Sequence, residues 1–227
     1  MAMINPSPAY YLNVNGYIRT ARQGDKYLFL MACSSGNVAY YCVARMNPDG
    51  SMDTSFGNSS IVQLTSMGTS GPRSLDPRRL LIDQDGKILV AGSCNQGGQY
   101  AFCFSRLNAD GSPDTTFGTS GTVISAFTGD TTGLGDVTIL SDGKLVAAGL
   151  CDGICVARYL PNGSFDTAFG VNGWFRQSVG FTSTDVNGVH VYADGKILVM
   201  GKGRANGVLM VRFQPNGAFD TSFNTTG

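Results

Sequence analysis

The chain has 227 residues, 42% hydrophobic and 10% aromatic, which is enough to bury a sizeable core, and its 31 glycines signal many turns. Sixteen basic residues balance sixteen acidic ones and charged side chains are only 14% of the total, so no global field favours nucleic acid or an anionic membrane surface. There is no run of about 18 apolar residues and no charged N-terminal stretch followed by an apolar one, so neither membrane insertion nor a signal peptide is visible.

In chain order, the first predicted strands are Tyr10 to Val14 and Tyr17 to Ala21, followed by a turn at Gln23-Gly24-Asp25-Lys26. Apolar runs come next, at Tyr27 to Met31 and Tyr40 to Ala44, and Arg45 closes the second of them. Two residues later stands an eleven-residue signature, Asn47-Pro48-Asp49-Gly50-Ser51-Met52-Asp53-Thr54-Ser55-Phe56-Gly57. The same succession then returns. A strand at Ile61 to Leu64 precedes an insertion, Ser66 to Arg79, and a strand at Arg79 to Asp83. The turn Gln84-Asp85-Gly86-Lys87 leads into Ile88 to Gly92, Tyr100 to Ser105, Arg106 and a second signature, Asn108 to Gly118.

The third unit holds Thr122 to Phe127, Asp136 to Leu140, the turn Ser141 to Lys144, Leu145 to Gly149, Ile154 to Ala157, Arg158 and the signature Leu160 to Gly170. The fourth holds Trp174 to Val179, Asn187 to Tyr192, the turn Ala193 to Lys196, Ile197 to Gly201, Val208 to Val211, Arg212 and Gln214 to Asn224. Successive arginines are 61, 52 and 54 residues apart, so this is a repeat protein.

Asp-Gly between apolar runs predicts a tight hairpin of the type I′ kind. The runs are about five residues long, rich in β-branched and aromatic residues, and do not alternate with polar ones, as expected of strands covered on both faces. Four short antiparallel strands per unit make a propeller blade. The expectation is an all-β β-propeller of four repeats, one domain over 1–227, with blades near 8–57, 58–118, 119–170 and 171–227. A closed disc of four is one form of it; an open segment of a larger propeller, or two chains forming eight blades, are the others.

Within the signature, Pro-Asp-Gly or Pro-Asn-Gly makes a turn that carries the chain to the next blade. Asp53, Asp114, Asp166 and Asp220 stand at one offset, placed to accept following backbone N–H groups and to brace Arg45, Arg106, Arg158 and Arg212, bidentate if partly buried. Phe56, Phe117, Phe169 and Phe223 are expected as anchors in the groove between blades. Asp85 to Gly92 together with Arg106 to Gly118 resembles the bacterial delta-sixty repeat family of β-propeller-like units. That resemblance covers nearly all of the chain after about residue 10. It implies a propeller, with no common catalytic residue or ligand.

Six cysteines flank the loop between the two apolar strands of each unit: Cys33 and Cys42, Cys94 and Cys103, Cys151 and Cys155. Unit four has Gly203 and Leu209 there, so both partners vanish together. Directly opposed residues of an antiparallel pair are within disulfide reach, and disulfides would place the protein outside the cell or at its surface. Buried thiols are the alternative, and zinc fits poorly with His190 as the sole histidine.

A triad could be built only around His190, in an apolar-leaning strand that suggests a structural role. The aspartates recur in every unit, as scaffold residues do. Non-repeating features are the insertion with Arg73, Asp76, Arg78 and Arg79, a possible binding loop, then Trp174, read as packing, and Lys202 to Arg204. Asn47, Asp49 and Asp53 resemble a cation loop, but units three and four replace the first ligand by Leu160 and Gln214, which favours a turn and cap. Asn58, Asn162 and Asn224 lie in Asn-x-Ser/Thr triplets. The expected function is a non-catalytic module binding a protein or glycan, without cofactor, nucleic acid or membrane insertion, and with homo-oligomers or larger assemblies open to it. The alternatives are a structural part of a surface layer, appendage, virion or adhesin, and, last, an enzyme with an asymmetric pocket.

Overall fold

A computed structural model of the chain describes residues 11–12, 18–35, 38–70, 76–96, 99–127, 132–178, 185–203 and 207–223. Parts of the expected elements, including Tyr10, Val14, Tyr17, Arg73, Val179, Arg204 and Asn224, lie outside them. Every regular element described is a strand, and the chain divides into two compact units, Met1–Ile124 and Ser125–Gly227.

The first unit begins with β1 (Tyr11–Leu12), β2 (Arg19–Gln23), β3 (Lys26–Ser35), β4 (Val38–Met46) and β5 (Ile61–Ser70), which form one sheet in the order β1-β3-β4-β5, with β2 also on β3. Its second sheet is β6 (Asp76–Ile82), β7 (Ile88–Gln96), β8 (Gln99–Leu107) and β9 (Thr122–Ser125). The second unit holds β10 (Thr132–Ile139), β11 (Leu145–Cys151), β12 (Ile154–Tyr159) and β13 (Trp174–Gln177), then β14 (Asp185–Val191), β15 (Ile197–Lys202) and β16 (Val208–Phe213). These are four antiparallel blades, one per repeat.

The phase of the blades differs from the sequence reading. The strand after each signature closes the blade before it: Ile61 pairs with Ala44 of β4, and Trp174 with Ala157 of β12. Each of the first three signatures is therefore the connection from third to fourth strand within one blade, and each blade opens at the strand that runs into the Asp-Gly turn. A four-residue strand hydrogen-bonds wherever the preceding turn delivers it, and its side-chain pattern is the same for either neighbour. The insertion Ser66 to Arg79 is likewise no simple loop, since β5 runs on to Ser70 and β6 starts at Asp76.

The hairpins also depart from the type I′ expectation. Gly86 donates to the Asp83 carbonyl at 3.1 Å and Asp83 to the Lys87 carbonyl at 3.0 Å. Only Gly86, at φ 74°, is left-handed, so the loop follows the pattern of a type I turn closed by a glycine bulge. Gly143 and Gly195 repeat it at 79° and 80°. In the first blade Gln23 pairs directly with Lys26 and the left-handed glycine, Gly24, comes first, the type II′ pattern.

The central strands are buried on both faces. In the first unit, Leu28, Leu30, Tyr41 and Val43 of one blade meet Ile88, Val90, Cys103 and Leu107 of the next. In the second, Val146, Ala148, Ile154 and Val156 meet Ile197, Val199, Leu209, Val211 and Phe213 in the same way. Hydrogen bonds cross these seams: Tyr41 Oη donates to the Ser93 carbonyl at 2.7 Å, and buried Asp136 accepts the Val189 N–H at 2.9 Å.

The turn after each signature carries one local conflict. Gly121 and Gly173 are left-handed at 86° and 97°, and Ser60 occupies the same place at 83°. Like Gly121, Ser60 donates to the carbonyl of its signature phenylalanine and accepts from its repeat arginine. A side chain in this region costs about 1–2 kcal/mol, partly offset in glycine by its looser unfolded chain. Ser60→Gly is therefore expected to raise stability by about 0.5–1 kcal/mol in urea denaturation, and a loss would show that the serine is not strained there.

Candidate functional site

The signature folds into two successive turns. In the first, Gly50 donates to the Asn47 carbonyl at 3.0 Å and Asp49 Oδ1 accepts both the Ser51 N–H and its hydroxyl. In the second, Asp53 Oδ1 accepts the Ser55 N–H and hydroxyl, at 3.1 and 2.6 Å. Its other oxygen, Oδ2, takes Arg45 Nε at 2.7 Å and Lys26 Nζ. The arrangement returns with Arg106, Lys87 and Asp114, with Arg158, Lys144 and Asp166, and with Arg212, Lys196 and Asp220.

Each carboxylate thus joins the signature to both ends of its own central hairpin. The arginine engages through Nε alone, so the contact is not a bidentate fork. Arg45 Nη1 instead reaches Gln23 Oε1 and the Ala109 carbonyl of the next signature, and Arg158 Nη1 reaches the matching carbonyl of Pro215. The lysines were not singled out from the sequence, although each ends an Asp-Gly-Lys or Gly-Asp-Lys turn and so recurred as regularly as the arginines.

Each guanidinium lies over the signature phenylalanine, 4.5 Å from Phe56 and Phe117 and 4.6 Å from Phe169 and Phe223. Phe56, Phe117 and Phe169 are buried, and Phe56 and Phe169 belong to the cores between blades. Phe223 is half-buried.

The brace sets the protonation of its carboxylates. Hydrogen bonds from Lys26, then Ser55 and Arg45, hold Asp53 well below the usual carboxylate range. For Asp114 burial opposes the shift, but Lys87, Thr116 and Arg106 outweigh it, and Asp166 is lowered against burial by Lys144. Asp220, bonded by Ser222 and Arg212, falls to about 2. None of these groups has the raised affinity for a proton that a general acid at neutral pH requires. Their folded values lie below an unfolded value of about 3.9, so their stabilisation is present above that pH and is lost as pH falls through the folded values. The melting temperature is expected to hold steady down to about pH 5 and to drop between about pH 4 and pH 2. A thermal scan over pH with no drop in that window would rule the brace out as a source of stability.

All six cysteines are paired, Cys33 with Cys42, Cys94 with Cys103 and Cys151 with Cys155, with Cα separations of 5.9, 5.9 and 5.8 Å. The partners are not directly opposed. Cys33 faces Tyr40 and Cys42 faces Met31, a diagonal offset of two residues that recurs in the second blade. The right-handed twist of a two-stranded ribbon draws one diagonal together, which brings these positions within reach.

Other sequence candidates are scattered. Arg73 lies outside the described residues, while Asp76, Arg78 and Arg79 belong to the edge strand β6 rather than to a loop. Pro77 is accommodated there by a bulge, and Arg78 Nη2 pairs with Asp76 at 2.6 Å. His190 is exposed on β14 with its ring edge-on to Tyr192 at 4.9 Å. Trp174 packs on Phe127, 4.9 Å between centroids. Among the described residues no group of three or more His, Cys, Asp or Glu is placed to hold a metal ion. Asp53, weighed above as a cation ligand and read as a turn and cap, is engaged by Lys26 and Arg45.

A groove of about 510 Å³ lies between the signatures of the first two blades. It is lined by Ser55, Asn58, Ile61, Val62, Gln63 and Thr65 of the first blade and by Asp110, Gly111, Ser112 and Pro113 of the second signature, with Val62 lying against Gly111. The Gly57 N–H donates to the Asp110 carbonyl at 2.9 Å and ties the two sides together. Asp110 is held ionised below the usual range by the Ser112 hydroxyl and N–H.

In the second unit the equivalent place is filled. Phe175 stands where Val62 does and lies against Gly217, the counterpart of Gly111: a Cβ added to Gly217 would come within 2.6 Å of the ring. Phe175 also packs on Phe169 and Phe213, at 5.3 and 4.7 Å. Val62, like Val123 of the second blade, is smaller than Phe175; a Cβ added to Gly111 would meet Val62 at 2.9 Å, and the smaller side chain leaves more of the first groove open. Only a comparison of the fourth strands position by position, with the blade phase known, would have found it in the sequence.

The model of a family described as "Domain of unknown function (DUF5122) beta-propeller" matches residues 34–56, 84–117, 140–169 and 193–223, one segment in each repeat and just over half of the chain. A search of curated proteins found no match. Among solved structures, a protein of unknown function from Bacteroides caccae is 13% identical, with 89% of this chain and 78% of that chain covered and a TM-score of 0.35.

Proposed function

We propose, starting from the fact that this chain belongs to the DUF5122 beta-propeller family, that it is a non-catalytic binding module whose ligand site is the open groove between the first two signatures. The observation that carries the reading is the groove itself, lined by polar residues beside Val62, where the second unit has the larger Phe175. Hydroxyl, amide and carboxylate groups beside a small apolar surface suit a sugar, whose hydroxyls need donors and acceptors and whose C–H face needs cover. Among the described residues one carboxylate and no cation line the groove, which disfavours anionic ligands. The ligand class is therefore a neutral or amino-bearing glycan. The three disulfides support a site of action outside the reducing cytoplasm, at a cell surface or in the medium.

Val62→Phe copies the fourth strand of the third blade and closes the groove while leaving the fold intact. Asp110→Asn removes the charge but keeps the turn, since Asn162 and Asn216 make the same bond to the residue two positions on, at 3.0 Å each. On a glycan array the unaltered chain is expected to bind a subset of neutral or amino glycans. V62F should lose at least about tenfold in affinity, about 1.4 kcal/mol, with D110N between the two. Equal binding by V62F, or no glycan bound at all, would overturn the reading.

A further inference from the structure

The groove between the first two signatures holds more polar groups than the turns beside it use. Ser55 Oγ donates to Asp53 Oδ1 at 2.6 Å, and Ser112 Oγ donates to Asp110 Oδ1 at 2.6 Å while accepting Asn108 Nδ2 at 2.9 Å, so both hydroxyl protons are committed to the fold. Among the described residues, the side-chain amides of Asn58 and Gln63 and the Oδ2 atom of Asp110 make no hydrogen bond with the protein, and all three residues line the groove. Each amide offers two donors and an acceptor, whereas an ionised carboxylate oxygen only accepts.

The charge on Asp110 is not needed by the turn that holds it. Asn162 and Asn216, at the same place in the third and fourth signatures, accept the N–H two residues on at 3.0 Å each, as Asp110 accepts that of Ser112 at 2.8 Å. The turn asks for an oxygen and leaves a negative charge over. Arg45 is the cation whose field reaches Asp110, but its Nε is bonded to Asp53, its Nη1 to Gln23 Oε1 and the Ala109 carbonyl, and it is only 7% exposed. Asp110 itself is exposed. Asp49 has the same spare charge at the same place in the first signature, bonded to the Ser51 N–H at 2.9 Å, but does not line the groove.

We propose that this groove selects glycans bearing a free amine over neutral forms of the same sugar, with the ammonium set against Asp110 and the neighbouring hydroxyls shared between Asn58 and Gln63. The selection rests on the reading of the groove as a glycan site and narrows it. An ammonium brings three donors and a positive charge to an oxygen that only accepts. A hydroxyl in its place brings one donor and no charge, and acetylation removes the charge and leaves a single N–H. Because the carboxylate is exposed, the gain is that of a surface ion pair, about two- to fivefold in affinity.

Titration calorimetry tests this with tetramers of glucosamine, galactosamine and mannosamine, each beside its N-acetylated and its hydroxyl counterpart. The unaltered chain is expected to bind at least one free-amine tetramer about two- to fivefold more tightly than both neutral counterparts. That preference should fade as salt is raised to about 1 M. In Asp110→Asn the free-amine form should fall to the affinity of its neutral counterparts. Asp49→Asn makes the same change of charge outside the groove and should leave the preference as it was. Free-amine and neutral forms bound alike, a preference that survives D110N, or one that D49N removes equally would each overturn the selection and leave the glycan reading standing. No tetramer bound, or binding untouched by V62F, would overturn the glycan reading and the selection with it. A lysine tetramer bound as tightly, and with the same dependence on Asp110, would make this a site for ammonium groups of any kind and overturn the sugar assignment.

Discussion

Phe56→Ala is expected to destabilise the protein by about 3–5 kcal/mol, the usual loss for a large buried ring that leaves a cavity. Phe56 has no exposure, sits in the core between the first two blades and carries the Arg45 guanidinium on its face. Removing it empties that space and strips the arginine of its platform at once. Phe223, the same signature position in the fourth blade, is half-buried, and Phe223→Ala should cost clearly less although its arginine lies at nearly the same distance. Urea denaturation measures both as a shift in midpoint. Equal costs would mean that the ring acts through the arginine rather than through the core.

Asp114→Ala is the second large effect, at about 2–3 kcal/mol. The carboxylate is buried and accepts Lys87, Arg106 and the Thr116 N–H and hydroxyl. Deleting one partner of a fully buried pair costs about 3–5 kcal/mol, and the figure here is lower because Lys87 and Arg106 keep some access to water. Replacing Lys87 and Asp114 together should cost less than the sum of the single losses, since both act through one contact. Additive losses would contradict a shared brace.

The fold class was legible because its signals repeat. Arg45, Arg106, Arg158 and Arg212 mark the period, and the unalternating runs before them report cover on both faces. Blade phase was not legible, because Ile61 to Leu64 looks the same whether it opens one sheet or closes another. The hairpin type turned on whether Asp85 or only Gly86 is left-handed, which the dipeptide leaves undecided. Pairing of the cysteines could be read from their joint absence in unit four, but their diagonal offset depends on twist. The brace was legible as Arg with Asp, and its third member was passed over because lysine in an exposed turn ordinarily stays in water. The groove was least legible of all: Val62 is unremarkable until Phe175 is laid over it.

The central claim is that each repeat folds its own strands into one blade, so that disulfides and strand-to-strand ladders stay within a blade. Proteolytic digestion without reduction, followed by mass spectrometry of the linked peptides, tests it most directly. The expected result is three linkages, Cys33–Cys42, Cys94–Cys103 and Cys151–Cys155, with no thiol open to alkylation. A linkage that joins cysteines of different repeats, or six alkylated thiols, would contradict it.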